Sequence, residues 1–193
     1  MKFIPRLVLC SLLCIVGASQ AFAQKRFCPV APPSPFKHSG KIVTSFDSST
    51  NNMRTTLEHP RVLGKGTDAI YLSATFIHQD PRRASAPTMD VIFISTSALP
   101  KYRETHQLAI FCDGRQLHFN QPARYVSQSD GQGTIYEATR ITLPYEDVLA
   151  ITSAKKVTAR LGLTDLELTN NHLEALRELF SLMAPSPGRW RAE

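Results

Sequence analysis

The chain is poor in the residue patterns that mark chemistry. It has four cysteines in 193 residues, and it contains neither a Gly-x-Ser-x-Gly elbow nor a Ser-x-x-Lys pair, so the common local signatures of an acyl-transfer nucleophile are missing. Its six histidines, His38, His59, His78, His106, His118 and His172, show none of the short spacings that place two imidazoles on one ion. Gly131 and Gly133 precede a strand-like run and open no helix, which excludes a phosphate-cradling loop. Arg82-Arg83, Lys155-Lys156, Arg189 and Arg191 lie far apart with no interleaved aromatics, so they read as solvated surface and nucleic acid is not expected as a partner. Beyond residue 23 no apolar run approaches the roughly 20 residues that a membrane-spanning helix needs, and no transmembrane span is expected. There is no internal repeat.

What the chain does have begins at its first residues. Lys2 and Arg6, the apolar run from Leu7 to Val16, and Ala21-Phe22-Ala23 form the pattern of a cleavable secretory leader over residues 1–23. Leu9 and Leu13 stand before Cys10 and Cys14 where a lipid-anchored leader wants a small residue, so lipidation is not expected. The expected location is therefore periplasmic or secreted. Without Lys2 and Arg6 the 22 basic residues become 20 against 16 acidic, a net charge of +4 on 170 residues. That length suits one domain with a real core. The charge favours loose, salt-screened contact with anionic envelope polymers or lipid head groups.

Cys28 and Cys112 outlast the leader in a compartment where disulfides persist, which makes them natural partners. Their bridge would close a loop of more than 80 residues, a constraint worth roughly 4 kcal/mol in the chain-entropy account. Two other readings stand beside it: two buried free thiols, or one reactive thiol at Cys112, which would want a neighbouring base where the sequence alone does not place His106 or His118.

Pro29, Pro32, Pro33 and Pro35 make residues 24–40 an extended arm without regular pairing, and residues 185–193 form a mobile tail after a helix stop at Ala184-Pro185. Between them a single β-rich domain, residues 41–184, alternates with period two and is rich in Val, Ile, Thr, Tyr and Phe. Strands are expected near 42–46, 53–58, 69–78, 88–97, 106–112, 115–120, 134–143, 156–161 and 165–168. Asp113-Gly114 is a two-residue hairpin loop that tolerates positive φ at both positions. It sets Ile110 opposite Leu117, Leu108 opposite Phe119 and Cys112 opposite Arg115, with an apolar face through Leu108, Ile110 and Cys112. A second hairpin pairs Leu161 with Leu166 and Arg160 with Glu167. Pro144 in the first turn, Glu146-Asp147 near the positive helix end and Lys155-Lys156 near the negative one predict a helix over 144–154. Thr169 caps a second helix to Met183, whose Leu173, Leu176, Leu179, Phe180 and Met183 form one apolar stripe suited to covering a sheet.

The series Phe46-Asp47, Cys112-Asp113-Gly114, Arg140-Ile141-Thr142-Leu143-Pro144, Lys156-Val157, Leu161-Gly162 and Leu166-Glu167-Leu168, ending in the Leu-rich helix, resembles a loose group of small secreted bacterial proteins with no assigned activity. The resemblance covers about residues 46–183 and implies a bacterial envelope setting. It carries over no catalytic residue, and the cysteine at 112 departs from the group's pattern.

The expected fold class is α+β, mainly antiparallel β: a β-sandwich or curved sheet covered by a C-terminal α-helix. No cofactor is expected. His78, Asp80 and His118 would gather on a metal only if their strands were adjacent, and alternation places Asp90 and Glu137 on polar strand faces. The leading functional expectation is an exported, non-enzymatic envelope protein that binds an envelope polymer or another protein. The alternative is a periplasmic hydrolase or metal-dependent enzyme whose site assembles only in three dimensions, and a third class is an adaptor subunit disulfide-linked through Cys28. The sequence gives no oligomeric state.

Overall fold

The computed structural model describes residues 35–58, 60–79 and 86–183. The leader, Cys28, Asp80 and the tail from residue 184 lie outside these residues.

Among the described residues eleven strands and two helices follow in the order β1 (Lys41–Asp47), β2 (Asn52–Glu58), β3 (Arg61–Lys65), β4 (Asp68–His78), β5 (Thr88–Ser97), β6 (Leu108–Cys112), β7 (Arg115–Gln116), β8 (Arg124–Ser129), β9 (Ile135–Pro144), α1 (Tyr145–Ser153), β10 (Val157–Leu161), β11 (Thr164–Leu168) and α2 (Asn170–Ser181). Seven strands form one sheet in the order β1-β2-β4-β5-β9-β8, with β3 also on β4, and four form a second in the order β11-β10-β6-β7. Every pairing is antiparallel. The fold is α+β, mainly antiparallel, with open sheets and a C-terminal helix over the core.

The core lies between the sheets and under the helices. Met89, Val91 and Phe93 of β5 meet Ile110 of β6, Val157 and Ala159 of β10, Leu168 of β11, Val148 and Ile151 of α1 and Leu176 of α2, around a residual void of about 10 Å³. Such a space barely admits one water molecule. The same inward rows carry Leu57, Leu72, Phe76, Ile141 and Leu143, all essentially inaccessible to solvent.

The Asp113-Gly114 hairpin has the expected register, with Phe111 opposite Gln116 and Cys112 opposite Arg115. Asp113 (φ 49°) and Gly114 (φ 82°) take the left-handed backbone that their loop needs. The ladder stops at Gln116, however, well short of residue 120. The second hairpin is displaced by two residues: Arg160 faces Asp165 and Ala159 faces Leu166. A tight loop of Gly162-Leu163 replaces the wider turn, and Gly162 (φ 57°) sits so close to the Thr105 carbonyl that a Cβ there would approach it to 2.1 Å. The outer ion pair is therefore Arg160–Asp165, at 2.6 Å, and not Arg160–Glu167.

Two strands were not expected. β3 follows Pro60 along the edge of β4 that β2 occupies further on, and the Leu72 N–H donating to the Pro60 carbonyl at 2.9 Å bridges the two pieces. β8 is a polar edge strand whose turn to β9 is built by Asp130, which accepts the backbone N–H groups of Gln132 and Thr134. Pro144 closes β9 as the cap of α1, which begins at Tyr145.

α2 is fixed by a histidine. The Thr169 N–H donates to His172 Nδ1 at 3.0 Å, so the ring proton is on Nε2, which donates to the Arg61 carbonyl at 2.8 Å. The segment before β1 runs over the same helix through a His38–Glu178 contact and the Ser39 N–H donating to Asn171 at 2.8 Å.

Candidate functional site

The one deeply buried carboxylate among the described residues is Glu137, which is 1% exposed. This corrects its placement on a polar strand face. Its Oε2 accepts the Lys101 N–H at 2.7 Å, and its Oε1 accepts the Tyr102 N–H at 2.9 Å and the Tyr125 hydroxyl at 2.6 Å. Three donors offset much of the desolvation that burying a carboxylate costs. Burial, followed by the bond to Glu137, pushes the Tyr125 phenol above its ordinary pKa. His106 stacks on Tyr125 with ring centroids 4.8 Å apart, and the Tyr102 hydroxyl reaches Thr164 at 2.9 Å. These contacts clamp residues 98–107, the crossing from the large sheet to the small one. The carboxylate is a clasp on the backbone. Counting by twos back from Ile141 and Leu143 would have turned Glu137 inward, so the signal was present in the sequence.

Two of the three metal candidates, His78 and His118, go with different sheets. His78 ends β4 on the large sheet, buried beside Phe76 with Nε2 at 3.1 Å from the Thr55 hydroxyl. His118 is exposed, just past β7 of the small sheet, and Asp80 lies outside the described residues. Among the described residues no group of three His, Cys, Asp or Glu side chains could hold a metal. Cys112 is half-buried on β6. Burial first, then Asp113 and Asp147, pushes its thiol up to about 11, which opposes the nucleophilic reading because the thiolate is scarce at neutral pH. Its expected partner, Cys28, lies outside the described residues.

The small sheet and the helices take the inner face of the large sheet. Its outer face presents a row of Tyr71, Ile94, Ala138 and Val126 across four strands. Val126 and Tyr136 remain 63% and 44% exposed. Tyr71, Ile94, Thr96 and Tyr136, with Thr67 and Thr134, line an open groove of about 490 Å³. Arg61 stands over the Tyr71 ring, 5.5 Å from its centroid.

One row along, Arg124 lies directly opposite Arg140. Asp90 is on this outer face as expected, 3.6 Å from Arg140, and accepts a bond from the Thr142 hydroxyl at 2.5 Å. Like charges set across a sheet repel. Asp90 answers Arg140, and among the described residues Arg124 has no ion-pair partner and adds positive charge beside the apolar row.

No helix among the described residues is long and apolar enough to cross a membrane. Comparison with protein-family models, curated proteins and solved structures finds no match to this chain.

Proposed function

We propose that the chain is an exported, non-enzymatic binding protein of the bacterial envelope and that the outer face of the large sheet is its recognition surface. The observation that carries this reading is the juxtaposition of an accessible apolar row and groove, Tyr71, Ile94, Val126 and Tyr136, with the paired arginines Arg124 and Arg140. The apolar groups give up water on contact, and the arginines favour an anionic partner. The leader-like residues 1–23 supply the envelope setting. Glu137, the buried group that could otherwise suggest acid–base chemistry, has its oxygens taken by two backbone amides and Tyr125, which supports a binding role over the hydrolase alternative.

The test is sedimentation of the purified protein with envelope fractions. Saturable retention that weakens with salt, and is lost in Tyr136→Ala and Arg124→Glu while both variants remain folded by circular dichroism, supports the reading. Retention that ignores both substitutions, or crosslinking that enriches no partner, would overturn it.

A further inference from the structure

The recognition face has two ends, β8 and β1, and only β1 is complementary to itself. Among the described residues β1 pairs with β2 alone, leaving its other edge unpaired. It is seven residues long, in unbroken register with β2, with no proline and no bulge. Natural sheets usually blunt such edges.

When a strand pairs with an antiparallel copy of itself about a perpendicular two-fold axis, facing residues must point to the same side of the sheet. They must therefore both be odd-numbered or both even-numbered. A seven-residue strand satisfies this over its full length when its middle residue faces its own copy across the axis. For β1 that residue is Thr44. Lys41 then faces the partner's Asp47, Ile42 faces the partner's Phe46, and Val43 faces the partner's Ser45.

The chemistry of that register is favourable at the ends of the strand and at Phe46, although Lys41 already stands 3.3 Å from Glu58 of β2. The opposite charges at the two ends of β1 meet twice, once at each end of the interface. Phe46, an aromatic ring 58% exposed in the single chain, meets Ile42, which already packs against the core. Asp47 is held ionised by the Ser49 and Thr50 hydroxyls of the turn that follows it. β8 lacks this property: its six residues have no central one, so full-length pairing with its own copy would oppose inward side chains to outward ones.

We infer that two copies of this chain join edge to edge through antiparallel β1 strands centred on Thr44. The paired large sheets become continuous, and two outer faces with their grooves lie on the same side of one assembly. A surface presented twice binds a repeating polymer more tightly than one presented once.

Sedimentation equilibrium of the exported protein tests the inference. A monomer–dimer equilibrium is expected at concentrations below about 1 mM, weakening as salt rises. Lys41→Asp opposes two acidic groups at each end and should raise the dimer dissociation constant at least about tenfold. Asp47→Lys should do the same, and the double exchange should restore pairing, with folding of each variant checked by circular dichroism. Thr44→Cys should give a covalent dimer on mild oxidation while Val126→Cys, on the opposite edge, should not. A protein monomeric throughout, a dimer indifferent to Lys41→Asp, a double exchange as weak as either single one, or crosslinking through position 126 in place of 44 would each overturn it.

Discussion

The two faces of the large sheet are made from the same strands and do opposite work. On β5, Met89, Val91, Phe93, Ser95 and Ser97 are buried, while Ile92, Ile94 and Thr96 between them are only partly covered. The inner face puts even a carboxylate to architectural use: Glu137 holds a crossing through the Lys101 and Tyr102 amides. Tyr136 and Val126 of the outer face stay 44% and 63% exposed, and the proposed recognition role rests on that accessibility.

The contrast can be broken most violently from the inside. Phe93→Ala removes a ring from the centre of the core and should cost about 3–5 kcal/mol in urea unfolding. Glu137→Ala leaves two amides and a phenol without their acceptor, a loss of about 3 kcal/mol, and hydrogen exchange should accelerate first at Lys101 and Tyr102. A loss spread evenly over the chain would deny Glu137 its local role.

Alkaline titration sharpens the same point. Because the Tyr125 phenol is raised by burial and by Glu137, the folded state holds its proton more tightly than the unfolded one. Its contribution is whole below pH 10, the ordinary tyrosine value, and is lost as pH rises through the higher folded value. Tyr125→Phe should flatten that alkaline fall in the unfolding midpoint. Tyr136→Ala on the outer face should change stability by no more than about 0.5 kcal/mol. The smallest effect concerns Cys112: after reduction, its alkylation should be slow at neutral pH and accelerate only toward about 11. A non-reducing peptide map reports whether Cys28 is joined to it.

Local rules made much of this fold legible. Period-two runs marked the strands around β4, β5 and β9, the Asp113-Gly114 dipeptide set its loop, and Thr169 with its leucine stripe marked α2. The failures share a physical cause. β3 carries Gly64, and β8 presents polar residues on an exposed edge, so neither shows an inward apolar period. The second hairpin was misregistered because Leu161 can satisfy apolar matching with Leu166 as readily as Ala159 does, and what decides is the close approach of Gly162 to Thr105, a residue distant in sequence. The candidate site was less legible still. A surface row such as Tyr71, Ile94, Ala138 and Val126 exists only through strand order, and the order that brings β9 between β5 and β8 is a non-local fact.

The clasp on the crossing segment also sets an order of events. Lys101 and Tyr102 wait for a carboxylate 36 and 35 residues further along the chain, so a polypeptide delivered amino end first cannot seat that stretch until β9 has arrived. Early strands can gather, but the second layer has nowhere to settle. A nascent molecule halted before Ile135 should remain sensitive to protease between residues 98 and 107, and one extended through Pro144 should begin to protect it, because β9 brings the acceptor those two amides need.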